Sequence, residues 1–182
     1  YRAGLTQHDT CIDYHTSGAW TAVGVAAMTA RILGCDAAQI HEAAGIGEYH
    51  GPRSQMMRCI DHPTMVRDGV GWGAPTGVTA GVLAQTGFTG APALTCQGPQ
   101  WWGLGDSWKL VTDTHYKPYP CCRWSHPSID AAAELMVRHG LSHHDIASVE
   151  IKTFHNATRL AGHTPVSADE FAYSIAFPVA CM

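Results

Sequence analysis

The sequence predicts a mainly α fold, an all-helical body followed by a small α+β unit, with neither part complete within the 182 residues. Three observations carry that expectation. Two runs of small and apolar residues, 16–34 and about 72–85, have helical length and helix-type ends. The composition changes between Gly98 and Trp108, where glycine and tryptophan crowd together. Beyond that point the pattern reads strand, helix, strand. The expected division is residues 1–105 for the helical part, 106–166 for the α+β unit, and 167–182 for the start of a helix returning towards the body.

The first helix spans TSGAWTAVGVAAMTARILG, residues 16–34. Thr16 or Ser17 suits its N-cap, and Gly34 suits a left-handed stop. Almost every residue between is small or apolar, so burial on most sides is expected. Asp36 and Gln39 then form a capping-box pattern that opens a second helix through roughly Gly45. Gly47 to Gly71 has no period and contains Pro52, Pro63 and many polar groups, the signature of a functional loop. A third helix, about Trp72 to Gln85, carries Gly77 and Gly81 four residues apart and ends at Gly87.

In the second region Lys109 to Tyr116 reads as a strand. The following helix has Pro127 in its first turn and Gly140 after its end. Ile129, Ala132, Ala133, Met136 and Val137 mark its apolar face. Ser142 and Asp145 cap a short turn. Val149, Ile151 and Thr153 alternate with Glu150, Lys152 and Phe154, as in a half-buried strand.

Bulk properties exclude several function classes. Hydrophobic residues at 46% against 14% charged residues describe a chain that buries much surface, not a disordered one. A net charge of −4 leaves no basic footprint for nucleic acid. The most apolar run, Ala19 to Leu33, contains Thr21, Thr29 and Arg31 and is too short to span a bilayer. Seven cysteines at irregular spacing, without a CxxC pair, fit a reduced, cytoplasmic protein better than a disulfide scaffold. The twelve histidines form neither HxxxH nor HExxH on a helix, so no metal site is expected. The start at Tyr1 and the stop at Met182 inside an apolar segment suggest a piece of something longer.

The chemistry is concentrated in KPYPCCRWSHP, Lys117 to Pro127. Eleven residues hold a lysine, an arginine, a histidine, two thiols and two aromatic rings, stiffened by three prolines. Arg53, Arg58, Arg67, Lys117 and Arg123 all fall in the two irregular segments. Arginine grips a carboxylate with paired hydrogen bonds, and lysine supplies a movable charge. A histidine or lysine beside a bound carboxylate can remove a neighbouring proton. A small unit hinged on a helical body would form a cleft for such an anion.

Four stretches resemble the MmgE/PrpD family, which includes 2-methylcitrate dehydratase, cis-aconitate decarboxylase and iminodisuccinate epimerase. They are YHTSGAWTAVGVAAMTARILG around His15, GVGWGAPTGVTAGVLAQTGFTGAP from 69 to 92, KPYPCCRWSHPSIDAA from 117, and SIAFPVA from 174 to 180. The resemblance implies an all-helical domain with a smaller α+β lid, a site between them, no cofactor, and a homodimer. It places His15, Lys117 and His126 as catalytic residues and sets Arg67 near a position where relatives often carry lysine. Arg53, Arg67 and Arg123 are the expected substrate-binding cations, Arg53 and Arg123 on their charge and loop position. Phe177 stands where some relatives carry tyrosine, and a phenyl ring donates no proton. Cys122 stands where some decarboxylases carry histidine. Family members are much longer, so the chain is expected to be their central portion.

The expected function is therefore a cofactor-independent lyase, a dehydratase or decarboxylase, acting on a small di- or tricarboxylate by proton abstraction next to a carboxylate. An epimerase shares that first step. A non-catalytic dimerisation or carboxylate-binding module is the alternative from another class.

Overall fold

Small side chains let three helices approach until their backbones touch, and this sets the first half of the molecule. The structure is a computed structural model that describes residues 18–97, 106, 112–160 and 164–182. The protein is mainly α, and no strand occurs among the described residues. The chain divides into two compact units, residues 1–56 with 67–114 and residues 57–66 with 115–182.

In the first unit, α1 (Thr21–Ile32), α2 (Ala37–His50) and α4 (Val70–Gln85) pack on one another. Their core is built mostly of alanine: Ala26, Ala30, Ala43, Ala80 and Ala84 surround Ile46. Gly73, Gly77 and Gly81 of α4 face α1. A Cβ on Gly77 would stand 2.6 Å from both the Ala22 carbonyl oxygen and Val25 Cβ. Such spacing excludes any side chain there.

Several helix ends follow the sequence signals, but α1 starts at Thr21 with Trp20 at its N-cap and no side-chain cap bond. The expected caps Thr16 and Ser17 lie outside the described residues. Gly34 adopts φ +78°, and the Cys35 amide reaches back to the Ala30 carbonyl at 3.0 Å. That contact closes the α1 C-terminus as expected for a left-handed stop. Both bonds of the capping box form, Gln39 N–H to Asp36 Oδ1 at 2.8 Å and Asp36 N–H to Gln39 Oε1 at 3.1 Å. Helix α2 runs five residues beyond Gly45 because Gly45, Ile46 and Gly47 are all buried against neighbours, and packing overrides their modest helix propensity. Glu48 then pins the segment after α4: its carboxylate accepts from the amides of Leu94 and Thr95 at 3.0 and 2.9 Å and from the Thr95 hydroxyl.

The second unit contains short α3 (Met57–Asp61), α5 (His126–His139), α6 (His155–Thr158), α7 (Ala168–Ala172) and α8 (Ala176–Ala180). Helix α5 begins with proline in its first turn and ends on Gly140 at φ 62°, as its signals require. Ile129 is fully buried with Cys121 and Val179, while Val137 is 85% exposed. Val137 thus lies off the buried face that its spacing suggested. Ser142 caps its turn, with its amide and hydroxyl both donating to Asp145 Oδ2 at 2.8 and 2.7 Å. Those bonds hold the Asp145 carboxyl below the usual range.

The two expected strands differ from the structure. Residues 114–117 and 146–154 follow irregular paths without a ladder among the described residues, and residues 107–111 lie outside them. The alternation at 149–154 nevertheless has a physical counterpart. Ile151 packs towards α5 while Val149 is 60% exposed, so one face is covered without a pairing partner. Residues 167–182 form two short helices, α7 and α8, interrupted at Tyr173–Ile175.

Candidate functional site

The Lys117–Pro127 segment folds around one backbone carbonyl. Pro118 and Pro120 restrict φ and bias the residues before them to extended backbone, so the chain has little freedom before Cys121. From there the 3-10 turn Arg123–Ser125 leads directly into α5. The Cys121 carbonyl points back at both ends of the motif: Lys117 Nζ donates to it at 3.0 Å, and His126 Nε2 lies 3.3 Å away. A carbonyl has two lone pairs and only accepts. It therefore takes both donors at once and fixes the proton of neutral His126 on Nε2.

That assignment leaves His126 Nδ1 with a lone pair. The ring is 3% exposed, and Nδ1 has no partner among the described residues. Buried polar atoms are ordinarily paired, so this nitrogen is the most unusual polar atom of the unit. Tyr119 meets the imidazole edge-on, with ring centroids 5.2 Å apart and planes at 89°. The Tyr119 hydroxyl donates to Asp130 Oδ1 at 2.6 Å, and that bond is the main reason its proton is held more tightly than in free tyrosine.

The loop is also tied to the 172–177 segment. Cys122 N–H donates to the Ala172 carbonyl at 2.7 Å, and Ser125 Oγ to the Ser174 carbonyl at 3.0 Å. Ser174 Oγ in turn accepts from Phe177 N–H at 3.1 Å. Cys122 and Ser125 of the loop are thus hydrogen-bonded to the 172–174 stretch, although 49 residues separate Ser125 from Ser174.

The expected site residues divide as follows. Lys117 and His126 are brought together on one acceptor. Arg123 is exposed on the same loop. Arg53 and Arg67 are exposed and belong to the first unit, with an Arg53 Nη reaching the Glu48 carbonyl at 3.4 Å. His15 lies outside the described residues, as do His163, Trp101, Trp102 and Trp108. His143, His144 and His155 are exposed.

Burial is the main factor pushing the Cys121 thiol up, with Cys122 adding to it and Lys117 opposing. Thiolate is the reactive form, so Cys121 is expected to resist labelling at pH 8 while exposed Cys181 reacts readily. Peptide mapping after timed alkylation checks this. The raised pKa also means that any stabilisation from the neutral thiol is present below its unfolded value, and is lost as pH rises through the folded one.

Sequence reasoning missed a cleft of about 540 Å³ lined by Asp61, His62, Arg159, Glu170 and Tyr173, with Ile60, Pro63, Thr64 and Ser174. Arg159 holds Asp61 through two hydrogen bonds, the Nε one at 2.8 Å. Nothing local announces a pair 98 residues apart. Two carboxylates face one already engaged guanidinium there, a balance unsuited to a polycarboxylate. Tyr119 was readable as part of the motif, but its partner Asp130 was not. Among the described residues no group of three or more histidine, cysteine or acidic side chains is gathered as a metal would require. No described helix is long and apolar enough to cross a membrane.

Comparison with known sequences gives two matches in chain order. Residues 2–107 match the MmgE/PrpD N-terminal domain, and residues 119–182 match the MmgE/PrpD C-terminal domain. His126 falls inside the second match, and Lys117 stands two residues ahead of it. No curated protein matches the chain.

Proposed function

Because the chain belongs to the MmgE/PrpD family, we propose that it serves a cofactor-independent lyase, a dehydratase or decarboxylase acting on a small di- or tricarboxylate. The observation that carries this reading is the convergence of Lys117 and His126 on the Cys121 carbonyl. It supplies a cation and an imidazole within one rigid turn.

In this reading Lys117 exchanges its backbone acceptor for a substrate carboxylate, to which it bonds more strongly because both partners are charged. Arg53, Arg67 and Arg123 contribute further cationic contacts, bidentate where the geometry allows. His15 and His126 are the proton carriers. The unpartnered lone pair of His126 Nδ1 is the form a general base needs. Removing the proton next to a carboxylate places negative charge on that group, and the nearby cations stabilise it more in the transition state than in the ground state. In dehydration that electron pair expels hydroxide, assisted by proton donation. In decarboxylation no proton is removed first: the pair of the breaking carbon–carbon bond stays behind as carbon dioxide leaves, and the resulting carbanion takes up one proton.

The α+β lid and the homodimer belong to the same proposal and rest on the family resemblance, whereas the cytoplasmic setting rests on the irregularly spaced cysteines. The test is to supply the gene product with citrate-like acids while following carbon dioxide release and alkene absorbance together. Turnover of a di- or tricarboxylate by either route is the expected result. Failure on a broad panel of such acids would overturn the proposal.

A further inference from the structure

We propose that Asp130, acting through Tyr119, is a positioning residue for the Lys117–Cys121–His126 array. This rests on the reading of Lys117 and His126 given above, but its observations are separate. Tyr119 lies two residues before Cys121, whose carbonyl both functional side chains share. Asp130 lies one turn after His126 on α5 and accepts the Tyr119 hydroxyl at 2.6 Å. The bond thereby fastens the loop carrying the acceptor to the helix carrying the imidazole. It is short, as expected where a carboxylate accepts from a hydroxyl.

The tether has few freedoms to remove. Pro118 and Pro120 flank Tyr119 and restrict the backbone on either side. Fixing the Tyr119 ring therefore goes far towards fixing where the Cys121 carbonyl points. The same ring also closes on the His126 imidazole edge-on at 5.2 Å, so one phenol restrains both the acceptor and one of its donors. Asp130 is exposed, so its tie is not required to hold the core together. Positions this precise matter chemically, because displacement of about 1 Å at a reacting group costs on the order of a hundredfold in rate.

The test uses Tyr119→Phe, Asp130→Asn and the double variant in the whole gene product. Each single change is expected to lower kcat about tenfold with KM within about twofold, and the double to match the singles because both cut one tether. Thermal midpoints should stay near that of the parent. Multiplicative losses, unchanged kcat, or losses that track a lowered midpoint would overturn the positioning role.

A second measurement needs no substrate. Acylation of Lys117, followed by mass spectrometry against exposed Lys152 as internal reference, should accelerate several-fold when Tyr119→Phe loosens the Cys121 acceptor. An unchanged ratio would overturn the tether. If Lys117→Ala abolishes turnover while both single variants remain at parental kcat, positioning fails and the lyase reading stands. If Lys117→Ala is fully active, Lys117 has no part in the mechanism, and the labelling ratio still decides the tether.

Discussion

Replacing Lys117 by alanine is expected to lower kcat by about a hundred- to a thousandfold, the range seen when one preorganised donor is removed from developing negative charge. The side chain is exposed and makes one backbone hydrogen bond, so its loss should leave the fold intact. Circular dichroism and the thermal midpoint will separate a chemical defect from a structural one. Lys117→Arg keeps the charge but replaces a compact ammonium by a planar fork that cannot reproduce the approach to the Cys121 carbonyl. It should recover only part of the lost turnover. Steady-state kinetics on the best acid of the panel decide the matter, and near-parental kcat for the alanine variant would remove Lys117 from the mechanism.

Gly77→Leu should destabilise the first unit by about 2 kcal/mol or more. The change gains helix propensity of about 0.8 kcal/mol. Against that, its Cβ would stand 2.6 Å from the Ala22 carbonyl oxygen and 2.6 Å from Val25 Cβ. The remaining side-chain atoms have nowhere to go without parting α1 from α4, and overpacking of this kind costs about 3 kcal/mol. Packing wins over propensity. Gly24→Ala is the matched control: the position is exposed in the middle of α1, with nothing within 4 Å of the added carbon. It should stabilise by about 0.5–1 kcal/mol. Denaturant midpoints for the two variants should therefore move in opposite directions, and a shared direction would refute the close-packing account.

How much of this was legible depends on how local each determinant is. Asp36 and Gln39 announce their capping box because both partners lie within one turn, and Gly34 and Gly140 announce helix ends because a positive φ favours glycine over other residues. Ala147 to Phe154 shows the limit of periodicity. Alternation reports that one face is covered, and Ile151 is indeed covered by α5, but a strand also needs a neighbour for its backbone, which the described residues do not supply. Helix α2 outran its expected end because Gly47 is held by contact with α1, information absent from its own neighbourhood.

The site divides along the same line. The residue types in KPYPCCRWSHP were enough to mark the motif, since stiff backbone and ionisable groups are properties of the segment itself. The Asp130 partner of Tyr119, the Ser174 acceptor of Ser125 and the Asp61–Arg159 pair were not readable.

What the sequence determined unaided was the mainly α character and the one stretch rich in reactive groups, because propensity, capping and composition act over a few neighbouring residues. What only the tertiary structure decided was that Lys117 and His126 share the Cys121 carbonyl and that the imidazole is buried with one nitrogen unpaired. Those facts arise from the path of the turn and from the helices packed over it. A lone pair's direction and a ring's exclusion from water are set by folded geometry, and no pattern of letters encodes them singly.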